Sequence, residues 1–403
     1  MTSDFKNLRA DFPVFDQGPL HYLDHASSSQ VPDVVMNAVS AHDLTSRANV
    51  HRSVYDLAER ATAAYEGARE NLAGWINAAS DREVVFTSGC TAAINLVAHS
   101  FGSLMQPGDE VIISELDHHA NIVPWQMLRD RAGIVLKVLP VDERGILDLS
   151  RLEQIITPRC RLIAVTHISN VTGAVTNIDQ VVSIARSAGA AVLLDGAQAM
   201  GHGPVDVQHL GIDFYTGSGH KMYGPTGIGF LWGRGELLEQ MPPFHGGGEM
   251  IRRVTMERTT YAEPPGRFEA GTPPVTQAAG LNAAINWMRR QDWTAIGQME
   301  RGLTERLLNG LSGIPGITIA GPQGLQSRAP VVSFSHETIH AHDICEILNL
   351  HHVAVRGGHH CAQPLLDAID VAALTRVSLG AYNNADDIDA FLAGLADAIR
   401  RLR

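Results

Sequence analysis

The sequence lacks the features that distinguish nucleic-acid-binding, membrane-spanning and secreted proteins. Its 31 basic residues are mixed with 43 acidic ones, the formal net charge is −12, and no block of basic residues occurs, which argues against a nucleic-acid partner. No apolar run reaches the roughly eighteen residues that a membrane span needs, so no membrane association is predicted. Residues 1–10 are charged and have no apolar core, so we expect no secretory signal peptide.

Cysteine is also scarce. The chain has 4 cysteines, Cys90, Cys160, Cys345 and Cys361, and no two of them form a Cys-x-x-Cys pair. We therefore predict neither a metal site nor a disulfide framework, and most of these side chains are expected to be small and buried. Together with the lack of a targeting segment, this composition predicts a protein of the reducing cytoplasm.

Short apolar runs alternate with longer amphipathic segments through the first part of the chain. Four such runs lie at residues 84–86, 110–113, 162–165 and 191–194, and residues 180–188 have helical periodicity. Strands that alternate with helices predict an α/β fold, with a large, mixed, mostly parallel sheet covered on both faces.

The pattern changes from about Asp292. A long amphipathic helix is predicted over residues 299–311, then strands at 317–320 and 331–335, a helix near 342–350 and a closing helix from Asp386. This order is typical of a smaller α+β domain. We predict a large domain over residues 15–290 and a small C-terminal domain over residues 291–403, with residues 1–14 belonging to the small domain.

Two charged residues follow predicted strands. Asp195 closes an apolar strand, and the carboxyl ends of parallel strands line ligand crevices. It either caps the next helix or pairs with a protonated ring nitrogen of a cofactor. Lys221 ends a turn that contains Ser218 and His220. It is either an ordinary surface lysine or a desolvated amine suited to a Schiff base, with Ser218 and His220 as hydrogen-bond donors to a phosphate.

Two further turns also follow strands. The turn Gly89-Cys90-Thr91 precedes a helix pattern, and the N–H groups at a helix start bind phosphate, although the sequence is not a P-loop. Residues 117–121 contain adjacent histidines, His118 and His119. A metal site is one interpretation, but further ligands at helical spacing are missing, which favours an imidazole lying on an aromatic cofactor.

The C-terminal part contributes a glycine-rich segment, Arg-Gly-Gly-His-His-Cys, at residues 356–361. Glycines permit mobility, and a cysteine between histidines and glycines is a candidate thiolate nucleophile. Cys361 is otherwise part of a metal-binding tract or chemically inert. Arg376, on a predicted strand, makes either a surface salt bridge or a bidentate clamp for a substrate carboxylate.

Taken together, these motifs resemble those of the class V aminotransferase-like family of pyridoxal-phosphate (PLP) enzymes. Within that family the sequence is most similar to the group II cysteine desulfurases, which include selenocysteine lyases. The most specific motifs lie at residues 117–125, 195–198, 218–227 and 356–364, and the similarity covers essentially the whole chain.

The resemblance implies a PLP-dependent transferase of fold type I that converts L-cysteine to L-alanine. Cys361 would accept the sulfur as a persulfide and pass it to an acceptor protein, for iron–sulfur cluster assembly or other sulfur delivery. L-selenocysteine is a further candidate substrate. The resemblance also implies a homodimer with active sites at the subunit interface.

The same resemblance assigns roles to single residues. Lys221 would hold the cofactor as a Schiff base and move protons, Asp195 would pair with the pyridine nitrogen, and Gln198 would bond the phenolic oxygen. His118 would stack on the ring and assist proton transfer. The remaining roles are phosphate binding by Thr91, Ser218 and His220, phosphate binding in the neighbouring subunit by Thr272, and binding of the substrate carboxylate end by Asn170, Arg356 and Arg376.

Five positions depart from the family pattern: Tyr55, Cys90, Ala92, Pro274 and Gly357. Two other functions stay open at this point. One is another class V reaction, such as epimerisation, transamination or kynurenine cleavage, which would need no thiol at Cys361. The other is a non-catalytic sulfur-relay scaffold, against which the intact Lys221 and Asp195 argue.

Overall fold

A computed structural model describes residues 8–51 and 53–402. The part of the domain prediction that concerns residues 1–7 and 403 lies outside these residues. The strands are β1 His21–Tyr22, β2 Val84–Thr87, β3 Glu110–Ser114, β4 Val135–Leu139, β5 Cys160–Thr166, β6 Ala191–Asp195, β7 Phe214–Ser218, β8 Gly229–Gly233, β9 Ile251–Val254, β10 Thr259–Tyr261, β11 Ile317–Ala320, β12 Val331–His336, β13 Val353–Ala354, β14 Arg356–Gly358 and β15 Leu374–Ser378.

The α-helices lie between and after these strands. They are α1 Asp33–Thr45, α2 Asp56–Trp75, α3 Cys90–Ser100, α4 Val123–Ala132, α5 Leu149–Ile155, α6 Ile178–Ala188, α7 Val207–Leu210, α8 Gly235–Gln240, α9 Val275–Arg289, α10 Trp293–Ser312, α11 Ala341–Leu350, α12 Gln363–Ala368 and α13 Ala385–Leu402. Two short 3-10 turns, His119–Asn121 and Gly219–Lys221, lie beside the candidate site.

A seven-stranded sheet forms the centre of the molecule, in the order β2-β8-β7-β6-β5-β3-β4. Neighbours from β4 to β7 are parallel, whereas β8 runs antiparallel to both β7 and β2. Successive strand residues face opposite sides, so Leu193 joins one buried apolar cluster and Leu194 the other. The predicted α/β fold with a mixed, mostly parallel sheet is confirmed.

Local sequence explains the helices that cover this sheet. In α6 the side chain of Asn177 accepts a hydrogen bond from the Gln180 N–H, and Gly189 ends the helix with φ of 70°, a left-handed conformation that glycine adopts without steric cost. Val181 and Ala185 on the inner face are fully buried. The helix predicted over residues 180–188 thus extends over Ile178–Ala188.

A second, four-stranded sheet, β11-β12-β15-β14, is antiparallel throughout. Helices α10, α11 and α13 pack against it, and the apolar residues Ile388, Phe391 and Leu395 of α13 lie in its buried cluster. The strands and helices predicted after Asp292 are all present, within a few residues of their predicted ends.

The segment before α1 joins the C-terminal part of the chain. β1 pairs with β13 in parallel, and the Ser378 N–H donates to Leu23 O at 2.8 Å. This pairing brings residues 24–28 next to β14 and β15, although they lie within the range predicted for the large domain. The boundary at residues 290–291 stays a prediction. In the described part of the chain, no α-helix is both long and apolar enough to cross a bilayer.

Candidate active site

A cavity of about 210 Å³ opens at the carboxyl ends of the central strands. Register places Thr166 of β5 beside Asp195 of β6, and Asp195 beside Thr216 of β7. Parallel sheets collect functional side chains at this edge. Ten of the predicted site residues line the cavity: Thr91, His118, Asn170, Asp195, Gln198, Ser218, His220, Lys221, Arg356 and Arg376.

Lys221 ends the 3-10 turn that follows β7. Burial lowers the pKa of its ammonium group, and the Asp195 carboxylate opposes this shift. Its Nζ makes no hydrogen bond or ion pair with any described residue, which is unusual for a lysine inside a protein. Behind it, a Cβ on Gly201 would lie 2.5 Å from Lys221 O, so only glycine fits there. The result is an amine that is free to react.

Asp195 is 5% exposed at the end of β6. Its Oδ1 accepts the Ala197 N–H at 2.9 Å and the Cys90 thiol at 3.2 Å. Its Oδ2 has no donor among the described residues. One carboxylate oxygen is therefore fixed by the protein and the other stays available for a group in the cavity. Through the Ala197 N–H, Asp195 holds the turn that follows β6; its pairing with a cofactor nitrogen stays a prediction.

The start of α3 supplies hydrogen-bond donors on the far side of the cavity. The Cys90 N–H donates to Ser218 Oγ at 2.8 Å, which leaves the Ser218 hydroxyl hydrogen free for another acceptor. Thr91 follows in the first helical turn, where backbone N–H groups lack intrahelical partners. His220 Nδ1 lies 3.3 Å from Ser28 Oγ. Hydroxyls and helix N–H groups at this place suit a phosphate.

His118 begins the 3-10 turn after β3, and its Nδ1 accepts the Ala120 N–H at 3.0 Å. Burial, with a smaller effect from the Lys221 charge, lowers the pKa of His118 to about 4. The imidazole is therefore neutral at neutral pH, with Nε2 as the protonated nitrogen. A neutral aromatic ring beside Lys221 can lie on a planar cofactor.

Two arginines face each other across the β14–β15 pair, in which Arg356 lies opposite Arg376. Arg376 is 1% exposed. It donates to Asn170 O at 3.0 Å, to Asp24 Oδ1 at 2.8 Å and to Ser27 Oγ at 2.6 Å. Arg356 donates to the same Ser27 Oγ at 3.1 Å. Asp24 compensates the two like charges at this end of the cavity.

Sequence reasoning missed Asp24 and Ser27. Both belong to the short polar segment after β1, which the pairing of β1 with β13 brings against the arginines. The only available signal was a run of small polar residues after a two-residue strand. Gln198 lines the cavity, and its Nε2 donates to Ala26 O at 2.9 Å; its assigned bond to a phenolic oxygen stays a prediction.

Cys361 does not line the cavity. It lies in a turn between β14 and α12, where both His360 and Cys361 have positive φ, 54° and 57°. This turn contacts His119 twice, since the His119 N–H donates to Cys361 O at 2.8 Å and the Gln363 N–H donates to His119 Nε2 at 3.1 Å. The Cys361 loop, residues 359–363, is thus attached next to His118, and His360 of this loop lines the cavity, whereas Cys361 does not.

Thr272 lines a separate cavity of about 360 Å³, together with Ala92, Glu269 and Pro274. Glu269 anchors this segment, because its carboxylate accepts two hydrogen bonds from Arg69 at 2.7 and 2.8 Å and one from the Phe86 N–H at 2.7 Å. Thr272 therefore does not reach the first cavity of its own chain.

The structure accounts for one departure from the family pattern directly. A Cβ on Gly357 would lie 2.9 Å from His342 Cδ2 and 3.1 Å from Cys345 Sγ of α11. A threonine there would require the His342 side chain to move and its other neighbours in α11 to give by a few tenths of an ångström. Nowhere among residues 8–51 and 53–402 do three or more His, Cys, Asp or Glu side chains form a group that could hold a metal.

Comparison with known proteins identifies the family. A model of the aminotransferase class-V family matches residues 21–391. The chain belongs to this family. Among class-V relatives, a probable cysteine desulfurase of Pseudomonas aeruginosa is 44% identical over 399 residues, which cover 98% of each protein. A cysteine desulfurase of Dickeya dadantii is 46% identical over 394 residues, covering 96% of this chain and 95% of its own.

Solved class-V structures agree with this assignment. The Escherichia coli cysteine desulfurase CsdA, in an S-sulfonic acid form, superimposes with a TM-score of 0.92 at 39% identity and covers 98% of both chains. The apo cysteine desulfurase of Thermococcus onnurineus gives a TM-score of 0.94 at 36% identity, again over 98% of both chains. The predicted resemblance to cysteine desulfurases is confirmed, and with it the fold type I transferase architecture.

The residues in the cavity fit PLP. The group needs an amine for its aldehyde, a carboxylate for its pyridine nitrogen and donors for its phosphate. Lys221 Nζ and Asp195 Oδ2 have no partner among the described residues, and Ser218 has a hydroxyl hydrogen to donate. All three line the same cavity.

Proposed function

We propose that this chain is a PLP-dependent cysteine desulfurase that converts L-cysteine to L-alanine and places the sulfur on Cys361. The observation that supports it most directly is the combination of the unpartnered Lys221 and Asp195 Oδ2 in one cavity with a cysteine loop hydrogen-bonded to His119 at its side. The names of the relatives at 44% and 46% identity support the same activity.

PLP, when bound, supplies an electron sink that stabilises negative charge at the α-carbon of an amino acid attached to it. Asp195 keeps the ring nitrogen protonated, because a buried carboxylate favours a nearby positive charge. Lys221 moves a proton at the substrate α-carbon, and its lowered pKa favours the neutral amine that accepts this proton. His118, neutral by virtue of its own lowered pKa, holds the ring from one face.

The two arginines orient the substrate. Arg376 still has one N–H of Nη1 and the Nε N–H without a partner among the described residues, and Arg356 lies opposite it in the sheet. A planar guanidinium matches a carboxylate in a bidentate geometry. The Asn170 side chain donates a hydrogen bond to His360 O at 2.8 Å. Asn170 therefore contacts both the Cys361 loop and Arg376, which binds the substrate carboxylate.

The atoms and electrons of the sulfur-transfer step balance between the Cys361 thiol and the substrate cysteine. The Cys361 thiolate attacks the substrate sulfur, an S–S bond forms, the substrate Cβ–S bond breaks, and a proton ends on Cβ. The products are alanine and a Cys361 persulfide, with no external oxidant or reductant. The loop must move toward the cavity for this step, since Cys361 lies beside it in the structure.

The remaining features of the proposal rest on the family resemblance. The persulfide passes to an acceptor protein, for iron–sulfur cluster assembly or other sulfur delivery, and L-selenocysteine is a second substrate. The enzyme acts as a cytoplasmic homodimer, with Thr272 of each chain serving the phosphate site of the other.

The test is to add L-cysteine to the purified protein, measure alanine, and locate the persulfide by mass spectrometry. We expect persulfide on Cys361, and near-complete loss of alanine formation from cysteine in Cys361→Ala. Activity on selenocysteine should survive in part, since selenium leaves more readily than sulfur. The matched control is Cys345→Ala, a half-buried thiol on α11, which should behave like the parent.

Three results would contradict the proposal. Normal desulfuration by Cys361→Ala, with persulfide on another cysteine, would make Cys361 a packing residue. Cysteine racemisation or amino-group transfer without alanine would instead indicate another class V reaction. A protein that binds no PLP would be the sulfur-relay scaffold.

A further inference from the structure

Cys90 stands in the wall of the cofactor cavity and contacts its most important carboxylate. It is 5% exposed and begins α3, directly before Thr91. Its Sγ lies 3.2 Å from Asp195 Oδ1 and 2.9 Å from Thr216 Oγ1. The mechanism proposed above does not use this thiol, and its position is one of the departures from the family pattern.

The hydrogen bonds have a definite direction. Burial, reinforced by the Asp195 charge, raises the pKa of Cys90 well above its usual value, so the thiol keeps its hydrogen. It donates this hydrogen to Asp195 Oδ1, because a carboxylate can only accept. The Thr216 hydroxyl can donate to the sulfur in turn. The Ala197 N–H, at 2.9 Å, is the second donor to the same oxygen.

Two donors on Oδ1 determine where Oδ2 points. A carboxylate held at one oxygen from two directions cannot rotate freely about its χ2 angle, which is otherwise a broad torsion. Oδ2 then faces the cavity, where the pyridine nitrogen would lie. The Cys90 backbone N–H also donates to Ser218 Oγ. Cys90 therefore orients one of the hydroxyl groups that would bind the phosphate.

We propose that Cys90 is a positioning residue for the cofactor, whose thiol fixes Asp195 so that Oδ2 meets the pyridine nitrogen. This inference rests on the proposed binding of PLP next to Asp195. The residue acts through Asp195 and has no direct role in sulfur transfer. A hydroxyl at this position would perform the same task, because threonine, like cysteine, carries a hydrogen-bond donor attached to Cβ.

An isosteric pair of variants separates hydrogen bonding from packing. Cys90→Thr keeps a donor, whereas Cys90→Val has the same shape as threonine and no donor. The first readout is the dissociation constant of PLP for the apoprotein, measured by visible absorption. The second is kcat and KM for cysteine. Cys160→Thr and Cys160→Val are the control pair, since Cys160 begins β5, at the opposite end of the sheet.

A hydrogen bond of this kind contributes about 0.5–1.5 kcal/mol. We therefore expect the PLP dissociation constant of Cys90→Val to exceed that of Cys90→Thr by about three- to tenfold. The kcat of Cys90→Val should be lower than that of Cys90→Thr, while KM for cysteine stays similar. In an Asp195→Ala background the difference between the two variants should disappear, because the side-chain oxygen to which the thiol donates is gone.

The outcomes are distinguishable. Equal PLP affinity of Cys90→Val and Cys90→Thr, or a difference that persists with Asp195→Ala, would overturn the positioning role while leaving the proposed function intact. Failure of the parent protein to bind PLP would overturn both. If Cys90→Val does not fold, the pair Cys90→Ser and Cys90→Ala makes the same comparison, with the serine variant expected to bind PLP more tightly.

Discussion

At the scale of single residues, the lysines of this chain differ in their partners. Lys137 Nζ donates to Ile155 O at 2.6 Å and pairs with Glu110 at 3.0 Å, whereas Lys221 Nζ has no partner among the described residues. An unpaired, desolvated amine is the one that condenses with an aldehyde. Lys6, outside the described residues, is the only other lysine.

We therefore expect Lys221→Ala to lose the visible absorption band of bound PLP and all turnover, while the protein still folds. In the parent, borohydride reduction followed by peptide mapping should place the pyridoxyl group on Lys221. The control is Lys137→Ala, which should keep the band. A reduced adduct on Lys137 or Lys6 would make the assignment wrong.

A second residue-scale prediction concerns Arg376, whose guanidinium is held in place by Asn170, Asp24 and Ser27. Arg376→Ala should raise KM for cysteine far more than it weakens PLP binding, because the group recognises the substrate carboxylate. Since the change also leaves Asp24 without its partner, some loss of stability is expected. An independent measurement uses the parent enzyme, where equal affinity for cysteine and its decarboxylated amine would contradict this role.

At the scale of elements, the Cys361 loop depends on a 3-10 turn from a distant part of the chain. His119 accepts the Gln363 N–H through its side chain and donates to Cys361 O through its backbone. Burial lowers the pKa of His119, and the neighbouring His359 adds to this effect, so the ring is neutral and able to accept at neutral pH.

His119→Ala should slow alanine formation in a single turnover by up to about tenfold, the range for one lost hydrogen bond. PLP affinity should not change, because His119 does not line the cofactor cavity. His119→Gln offers an acceptor at a similar position and should recover part of the rate. A parallel loss of PLP binding in the alanine variant would show that His119 supports the cofactor site rather than the loop.

The elements themselves were predictable, because each carries a local signal. The strand ending at Asp195 is a continuous apolar run, and the helix that begins at Ile178 has its cap residue in the sequence. Contacts between distant segments have no such signal. Asp24 meets Arg376 across 352 positions of the chain, and the attachment of the Cys361 loop to His119 depends on how the two sheets pack together.

At the scale of the whole molecule, several histidines are buried in the neutral form. Burial lowers the pKa of His118 and His167 to about 4 and that of His360 to about 3, from an ordinary value of 6.5. Between these values and pH 6.5 the unfolded chain binds more protons than the folded one, so stability falls as the pH is lowered through this window. Each histidine contributes at most about 1.4 kcal/mol per pH unit.

Urea unfolding midpoints measured at several pH values should therefore be flat above about pH 7 and decrease from pH 6.5 toward pH 4. His167, hydrogen-bonded to Tyr215 at 3.0 Å, provides a variant for this test. His167→Asn cannot be protonated in this range, so its midpoint should decrease less steeply. An unchanged midpoint between pH 7 and pH 5 in the parent would contradict the neutral burial of these rings.

The last prediction concerns how two chains share their sites. Thr272 lines the second cavity and not the first, so in the proposed dimer it would serve the phosphate site of the other chain. For a homodimer, light scattering should give a molecular mass of about twice the 43.5 kDa of one chain. Lys221→Ala and Thr272→Glu should each be inactive alone, the latter because its carboxylate repels a phosphate. A heterodimer of the two has one site with both native groups if Thr272 acts across the interface, so it should regain about half of the parent activity. If Thr272 acts within its own chain, neither site of the heterodimer is intact and no activity returns.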